Sequence, residues 1–235
     1  MNSLVENIQV LYDIKNNIKT SIENKGVVVG DVPFTEYPSK IDEITSGALI
    51  KLSYEAQPRF MYTEFTGGGG LTLDCQSISH IDYLFYVAYF VDSKVPKLIN
   101  TSHLVSMDYM FDSCINMIEA PYFSTEGMAR MNHSFFMCQQ LETIPLYDMS
   151  NVVQAEHMMY GCYNLKNIGG FVNLKVNMDL STSRYITRES MLNVIKYLVD
   201  DGYDHTLTIH QNVYDRLTEE DIAMATGKSW TIAVK

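Results

Sequence analysis

The sequence predicts an α/β repeat solenoid, a stack of short strands with an N-terminal helix and a C-terminal α/β cap. Three observations carry this. "YMFDSCINMIEAP" (109–121), "HSFFMCQQLETIP" (133–145) and "HMMYGCYNLKNIG" (157–169) each hold a cysteine at the sixth position, so Cys114, Cys138 and Cys162 stand 24 residues apart. The residues around those cysteines share an apolar template. Helical patterning is concentrated toward the two ends of the chain. Self-similarity at a fixed period of about 20 to 50 residues marks stacked repeat architectures.

Three explanations compete for the cysteines: metal ligands, disulfide partners, or one buried point in a repeated unit. Three residues after them come Met117, Leu141 and Leu165, and three before stand Phe111, Phe135 and Met159. Three further on lie Ala120, Ile144 and Ile168; four before lie Met110, Ser134 and Met158. A zinc site needs a second close ligand, such as Cys-x-x-Cys or a paired histidine, and no such pair occurs. The buried-repeat reading follows, with Phe111, Cys114, Met117, Phe135, Cys138, Leu141, Met159, Cys162 and Leu165 as the repeat core.

A fourth, weaker copy lies upstream. In "HIDYLFYVA" (80–88), Asp82, Tyr83 and Phe85 match Asp108, Tyr109 and Phe111, and Ala88 takes the cysteine place, 26 residues before Cys114. A degraded last unit follows at 172–183. Atypical end units are expected of a stack, whose outermost faces meet solvent. The chain then divides into a helical anchor and connector (1–46), a β-rich segment with a Gly loop (47–79), the repeats (80–183) and the cap (184–235).

The 235 residues are 46% hydrophobic, enough for a substantial core, and carry a net charge of -11. No Lys/Arg cluster marks a nucleic-acid face, and no apolar run of about 18 residues marks a membrane insertion. The first residues lack the basic-then-apolar order of a secretory signal. Folding in a reducing cytoplasm, with the cysteines as thiols, is therefore expected.

Catalysis is not expected either. Asp108 and Asp112 resemble a carboxylate pair, but the equivalent places hold Asn132 and Phe136, then Glu156 and Tyr160. No Gly-x-Ser-x-Gly occurs, and the six histidines show no ligand spacing. His133 and His157 take the place held by Tyr83 and Tyr109, as repeat-face positions do. No cofactor or metal is called for.

At the N-terminus, Leu4, Ile8, Leu11, Ile18 and Ile22 form one helical stripe over residues 3–22, with Val5 and Ile14 at its margins and Lys15 interrupting it. The steps suit a core-facing stripe and an oligomeric seam alike. Gly26, Gly30 and Pro33 punctuate a connector, after which 48–64 alternates in strand fashion around Ile50, Leu52, Tyr54, Phe60 and Tyr62. "TGGGG" (66–70) lacks the Lys-Ser/Thr pair of a phosphate-binding loop, and the "LTLDC" after it reads as a strand. In the tail, Thr187 caps a helix with the stripe Met191, Val194, Ile195 and Leu198, Gly202 lying just past its end. "HTLTIH" and "WTIAV" read as strands around a helix started by Thr218 and Asp221 as a capping box and closed by Gly227. This unit would cover the open end of the stack.

"MDYMFDSCINMIEAPYF", "MNHSFFMCQQLETIPLYD" and "AEHMMYGCYNLKNIGGF" resemble the BspA-like bacterial leucine-rich repeat, Met-x-x-Met-Phe-x-x-Cys-x-x-Leu followed by a short strand, over residues 80–182. Here Met117 replaces the Leu, "IEAPYF" and "IPLYD" replace the Leu-rich strand, and the first unit lacks the cysteine. "LYDIKNNIKTSIENKGVVVGDVPFTEYPSKIDEI" is similar to N-terminal segments of phage tail and minor structural proteins. "TRESMLNVIKYL" and "LTEEDIAMATGKSWTIAV" are similar to segments closing such repeats in the same virion proteins. The resemblance implies a leucine-rich-repeat-like component of a tailed bacteriophage, a tail or fibre protein assembled in the host bacterial cytoplasm. It implies other virion subunits as partners and a host-surface glycan or protein as the ligand; the homo-oligomer expected beside them, a trimer favoured, rests on the apolar stripe from Leu4 to Ile22. Exposed aromatics would supply the contact surface, with Tyr86, Tyr89, Tyr122, Tyr147 and Tyr163 in the repeat region as candidates; the alternative, expected for most of these rings, is packing between rungs or over loops. A purely architectural connector and, further off, a surface-polysaccharide depolymerase are the alternatives.

The apolar stripe predicts an oligomer that needs it. Native mass measurement of the full chain beside a version lacking residues 1–25 should give a multimer and a monomer; two monomers would end the claim.

Overall fold

The computed structural model describes residues 19, 48–53, 60–65 and 70–235. The stripe Leu4, Ile8, Leu11, Ile18 and Ile22 lies outside them, as do Tyr54 and most of the glycine loop.

β-Rich sequence begins the described chain. β1 (Ala48–Ser53) runs parallel to β3 (Leu71–Ser77), which runs parallel to β5 (Lys97–Ile99). β2 (Glu64–Phe65) pairs with β4 (Tyr89–Phe90), again in parallel. β6 (Thr143–Asp148) pairs with β7 (Asn167–Val172), Thr143 opposite Asn167. A last sheet holds β8 (Met178–Leu180), β9 (His205–Ile209) and β10 (Trp230–Val234) in the order β10-β9-β8. Single parallel bridges link His80 to Ser106, Ser106 to Arg130 and Arg130 to Gln154.

The expected α/β solenoid class is corrected by these elements. The described chain is strand and turn: short parallel strands in four small, separate sheets. Among the described residues from 48 on, α-helix is confined to α1 (Arg188–Lys196), α2 (Gln211–Tyr214) and α3 (Glu219–Thr226). The cause lies in the backbone of the repeats. Tyr83 and Val87, Tyr109 and Ser113, His133 and Met137, and His157 and Gly161 all have positive φ, between 50° and 84°. Two left-handed residues, four apart, stop a right-handed helix from propagating in each unit.

The 24-residue period sets hydrogen-bond register. N–H groups of Met107, Tyr109, Phe111 and Ser113 donate to the carbonyls of Arg130, Asn132, Ser134 and Phe136 at 2.7–3.1 Å. Those of Met131, His133, Phe135 and Met137 donate to Gln154, Glu156, Met158 and Tyr160 at 2.8–2.9 Å. Ile81, Tyr83, Phe85 and Val87 do the same one unit earlier. Amides of the intervening residues need other partners, because buried N–H groups left unpaired are costly. Side chains supply some: Asp82 accepts from Asp108 N–H, Asp108 from Asn132 N–H, and Asn132 from Glu156 N–H, at 2.8–2.9 Å.

Inside, Phe111, Cys114, Met117, Phe135, Cys138, Leu141, Met159, Cys162 and Leu165 are all 0% exposed. Phe60, Phe85, Phe111 and Phe135 stack ring on ring at 5.3–5.6 Å, each burial stabilising by about 1.5–3 kcal/mol. The thiols of Cys114, Cys138 and Cys162 donate to the carbonyls of Phe85, Phe111 and Phe135 at 3.0–3.1 Å, so each reaches back to the unit before. Burial pushes the Cys162 thiol up to about 12 and the Cys138 thiol well above its ordinary value. All four cysteines are free.

The C-terminal elements cap as their sequence indicates. Thr187 Oγ1 accepts from Ser190 N–H, and Met191, Val194 and Ile195 are the buried face of α1. The helix ends at Lys196, six residues before Gly202, so Leu198 of the expected stripe lies beyond it, bridged to Leu174, and Lys228 Nζ satisfies the carbonyls of Ile195, Lys196 and Leu198 at 2.9–3.1 Å. Thr218 and Asp221 form the capping box of α3, and Asp221 also takes a two-pronged ion pair from Arg188 at 2.8 Å. That guanidinium, with the Thr218 amide, holds the Asp221 carboxyl below its usual range. Trp230, 1% exposed, donates from Nε1 to Val199 O at 2.8 Å.

Cys138→Asp should destabilise the fold by about 3 kcal/mol or more, because it sets an unpaired charge in an apolar stack. Urea unfolding measures the loss. Rapid labelling of Cys138 by a thiol reagent in the native wild type would contradict the burial on which this rests.

Candidate binding surface

The left-handed residues do more than end helices: they carry rings to the surface. Tyr83, Tyr109 and His133 stack with centroids 4.8 and 4.6 Å apart and planes within 5° and 13° of parallel. His157 continues the column, 5.3 Å from His133 and turned edge-on. Three residues later in each unit a second column runs alongside. It holds Tyr62, Tyr86, Asp112, Phe136 and Tyr160. Tyr62 meets Tyr86 at 6.1 Å and Phe136 stacks on Tyr160 at 5.8 Å. The columns also touch each other: Tyr83 with Tyr86, His133 with Phe136, and His157 with Tyr160, at 4.9–5.7 Å. The result is an aromatic sheet one ring thick, with Tyr62 72% and Tyr160 39% exposed at its margins.

One place breaks the second column. Asp112 stands where the neighbouring units have Tyr86 and Phe136, and it is 6% exposed. Its Oδ1 accepts from Ser113 Oγ at 2.7 Å. Burial raises its carboxyl above the ordinary value, against the pull of that hydroxyl and of His133. His133 is lowered, first by burial and then by His157, while Asp112, Glu156 and Asp108 oppose the shift. Tyr86 is raised, mainly by burial and then by Asp112.

An ionic strip borders the sheet. Arg130 Nε lies 3.3 Å from Asp108 Oδ2 and Nη2 lies 3.8 Å from Asp82, so one guanidinium serves both carboxylates. Burial still raises Asp108. Asp108 and Asp112 thus have separate structural roles, one in the main-chain ladder and one under the rings. Among the described residues no group of three His, Cys, Asp or Glu is placed to hold a metal ion.

The tyrosines singled out from sequence divide. Tyr89, Tyr122 and Tyr163 are 47%, 74% and 42% exposed, and Tyr86 is half-buried in the ring sheet. Tyr147 is fully buried, its hydroxyl donating to Pro121 O at 2.7 Å. Tyr122 stands beside a groove of about 650 Å3 lined by Asp92, Lys94, Ile118, Pro121 and Pro145. The face-forming rings Tyr83, Tyr109, Phe136 and Tyr160 are not among the contact residues expected from sequence. Their signal was present, since aromatic residues recur there at the 24-residue step.

Asp112→Asn should melt above the wild type at pH 7 and together with it near pH 3. A carboxyl raised in the folded chain favours folding only while protonated, so the wild type loses stability as pH rises from the unfolded value, 3.8, through the folded one. Scanning calorimetry across that range checks the sign; a variant that melts lower at pH 7 reverses the assignment.

No helix among the described residues is long and apolar enough to cross a membrane. No family model, no curated protein and no solved structure matches the chain.

Proposed function

We propose that the chain is a structural protein of a tailed bacteriophage particle, a tail or fibre component whose stacked units give a rigid surface for subunit attachment or host-surface binding. The virion assignment rests on the sequence resemblances at 80–182 and at both flanks. The observation that carries the binding role is the pair of ring columns between Tyr62 and Tyr160, unbroken from Tyr83 to His157 in the first and interrupted by Asp112 in the second. Rings fixed by their neighbours lose little side-chain freedom on contact, and a flat π-face with hydroxyls at its margin suits the apolar face and hydroxyls of a sugar. The 24-residue step repeats the same offer along the surface, which suits an extended ligand.

A second reading, the purely architectural connector, draws on another observation. Ile115, Ile118 and Leu146 are 46%, 39% and 41% exposed, an apolar presentation that a neighbouring subunit could cover.

Mass spectrometry of purified particles should find the chain in the virion, and its absence there removes the assignment. The full chain should bind polysaccharide extracted from the host surface, with Tyr62→Ala and Tyr160→Ala each weakening binding about tenfold at unchanged fold. Equal binding by both variants would move the role to the connector reading.

A further inference from the structure

The ladder that joins the units stops at one place. Met107 and Tyr109 donate their N–H groups to Arg130 and Asn132, and Met131 and His133 donate theirs to Gln154 and Glu156, at 2.9–3.1 Å. One unit on, the equivalent N–H groups of Ala155, His157 and Met159 have no partner among the described residues, the first two at the groove. Their partner should be the chain 24 residues past Gln154, which is β8. Yet β8 pairs only with β9 and is the edge of its sheet.

The two segments splay apart instead of pairing. They are joined farther along, where Gly161 N–H donates to Thr182 Oγ1 and Ser183 Oγ donates to Cys162 O, both at 2.9 Å. Before that join they enclose a groove of about 600 Å3, walled by 153–157 on one side and 176–179 on the other. Ala155 is 7% exposed and lines the groove wall.

We propose that this groove is the docking site of an extended, positively charged peptide segment of another protein, which adds a strand between Gln154–His157 and β8. Two features select that occupant. The unpaired donors are two residues apart along one wall, the spacing at which an extended main chain presents carbonyls, and β8 faces them as a second strand edge. The walls carry Glu156, Asp179 and Asp204, with Lys235 the one cation among the described residues paired there, 3.3 Å from Asp179, in a chain of net charge -11. Alternating Lys or Arg side chains on the inserted strand would meet these carboxylates, while the apolar alternates would lie on Val153 and Val176. The inference stands apart from the virion assignment and from the ring face, which lies on other residues except at His157.

The test uses the full chain and a fluorescein-labelled hexapeptide of alternating Lys and Val. Amide exchange by NMR in the free protein should show Ala155 and His157 exchanging at least a hundredfold faster than Met131 and His133. The peptide should bind, slow both amides at least tenfold, and lose at least tenfold in affinity when alternate peptide nitrogens are methylated or Lys is replaced by Glu. Glu156→Lys with Asp204→Lys should lower affinity by a similar factor. Slow exchange at Ala155 and His157 in the free chain would overturn the open edge. Absence of binding, equal binding by the methylated peptide, or binding that leaves the two amides unchanged would overturn the docking site.

Discussion

Main-chain hydrogen bonding between equivalent residues of successive units is the constraint on which the rest depends. Each unit offers four N–H groups to the carbonyls of the next, and the offsets repeat without drift from Met107 to Tyr160. Once that register is set, other spacings follow. Phenylalanines one unit apart must stack inside, tyrosines and histidines must stack outside, and each thiol falls beneath the carbonyl of the preceding phenylalanine. Left-handed backbone at bulky residues costs of order 1–3 kcal/mol each, and it persists because the ladder leaves no other path for the chain. Val87, a β-branched residue at φ 56°, shows how far that compulsion reaches.

The same constraint explains the polar residues. In parallel register half of each segment's amides point away from the neighbouring unit's carbonyls, and the column Asp82, Asp108, Asn132 answers part of that demand. Elsewhere Asn116 serves both main-chain groups of Phe90. Three acidic or amide residues in line look like a reactive cluster in a one-dimensional sequence; in the fold each is committed to a neighbour's backbone, and Arg130 neutralises two of them.

Much of this was legible and some was not, for identifiable reasons. The cysteine places and their apolar neighbours stand at one period, and all of those core positions are buried. The caps at Thr187 and Thr218 are short-range chemistry, decided within four residues. The solenoid class rests on the 24-residue period, which fixes which residues recur but not the backbone between them, and that backbone turns twice per unit through left-handed residues and pairs in small separate sheets. Of the eight residues at those turns, Gly161 alone is of a type that announces positive φ. Abundance of tyrosine in the repeat region does not separate surface rings from buried ones, and the hydroxyl of the buried Tyr147 finds its partner at Pro121, 26 residues away. The groove beside β8 was invisible in sequence, since the period continues through it and the pairing does not.

That interruption also makes the stack mechanically uneven. Bonds between units lie along the direction in which the units pile up, so tension in that direction loads one interface after another in series. Within an interface the four main-chain bonds share the load. The interface after Gln154 has none of those four: among the described residues the N–H groups of Ala155, His157 and Met159 have no partner and that of Gly161 turns to the Thr182 hydroxyl, so main-chain bonds resume where Thr187 donates to Lys166 O and Val199 to Leu174 O. Under pull it is the seam that parts first, which places the give of the molecule between the repeated units and the C-terminal sheet.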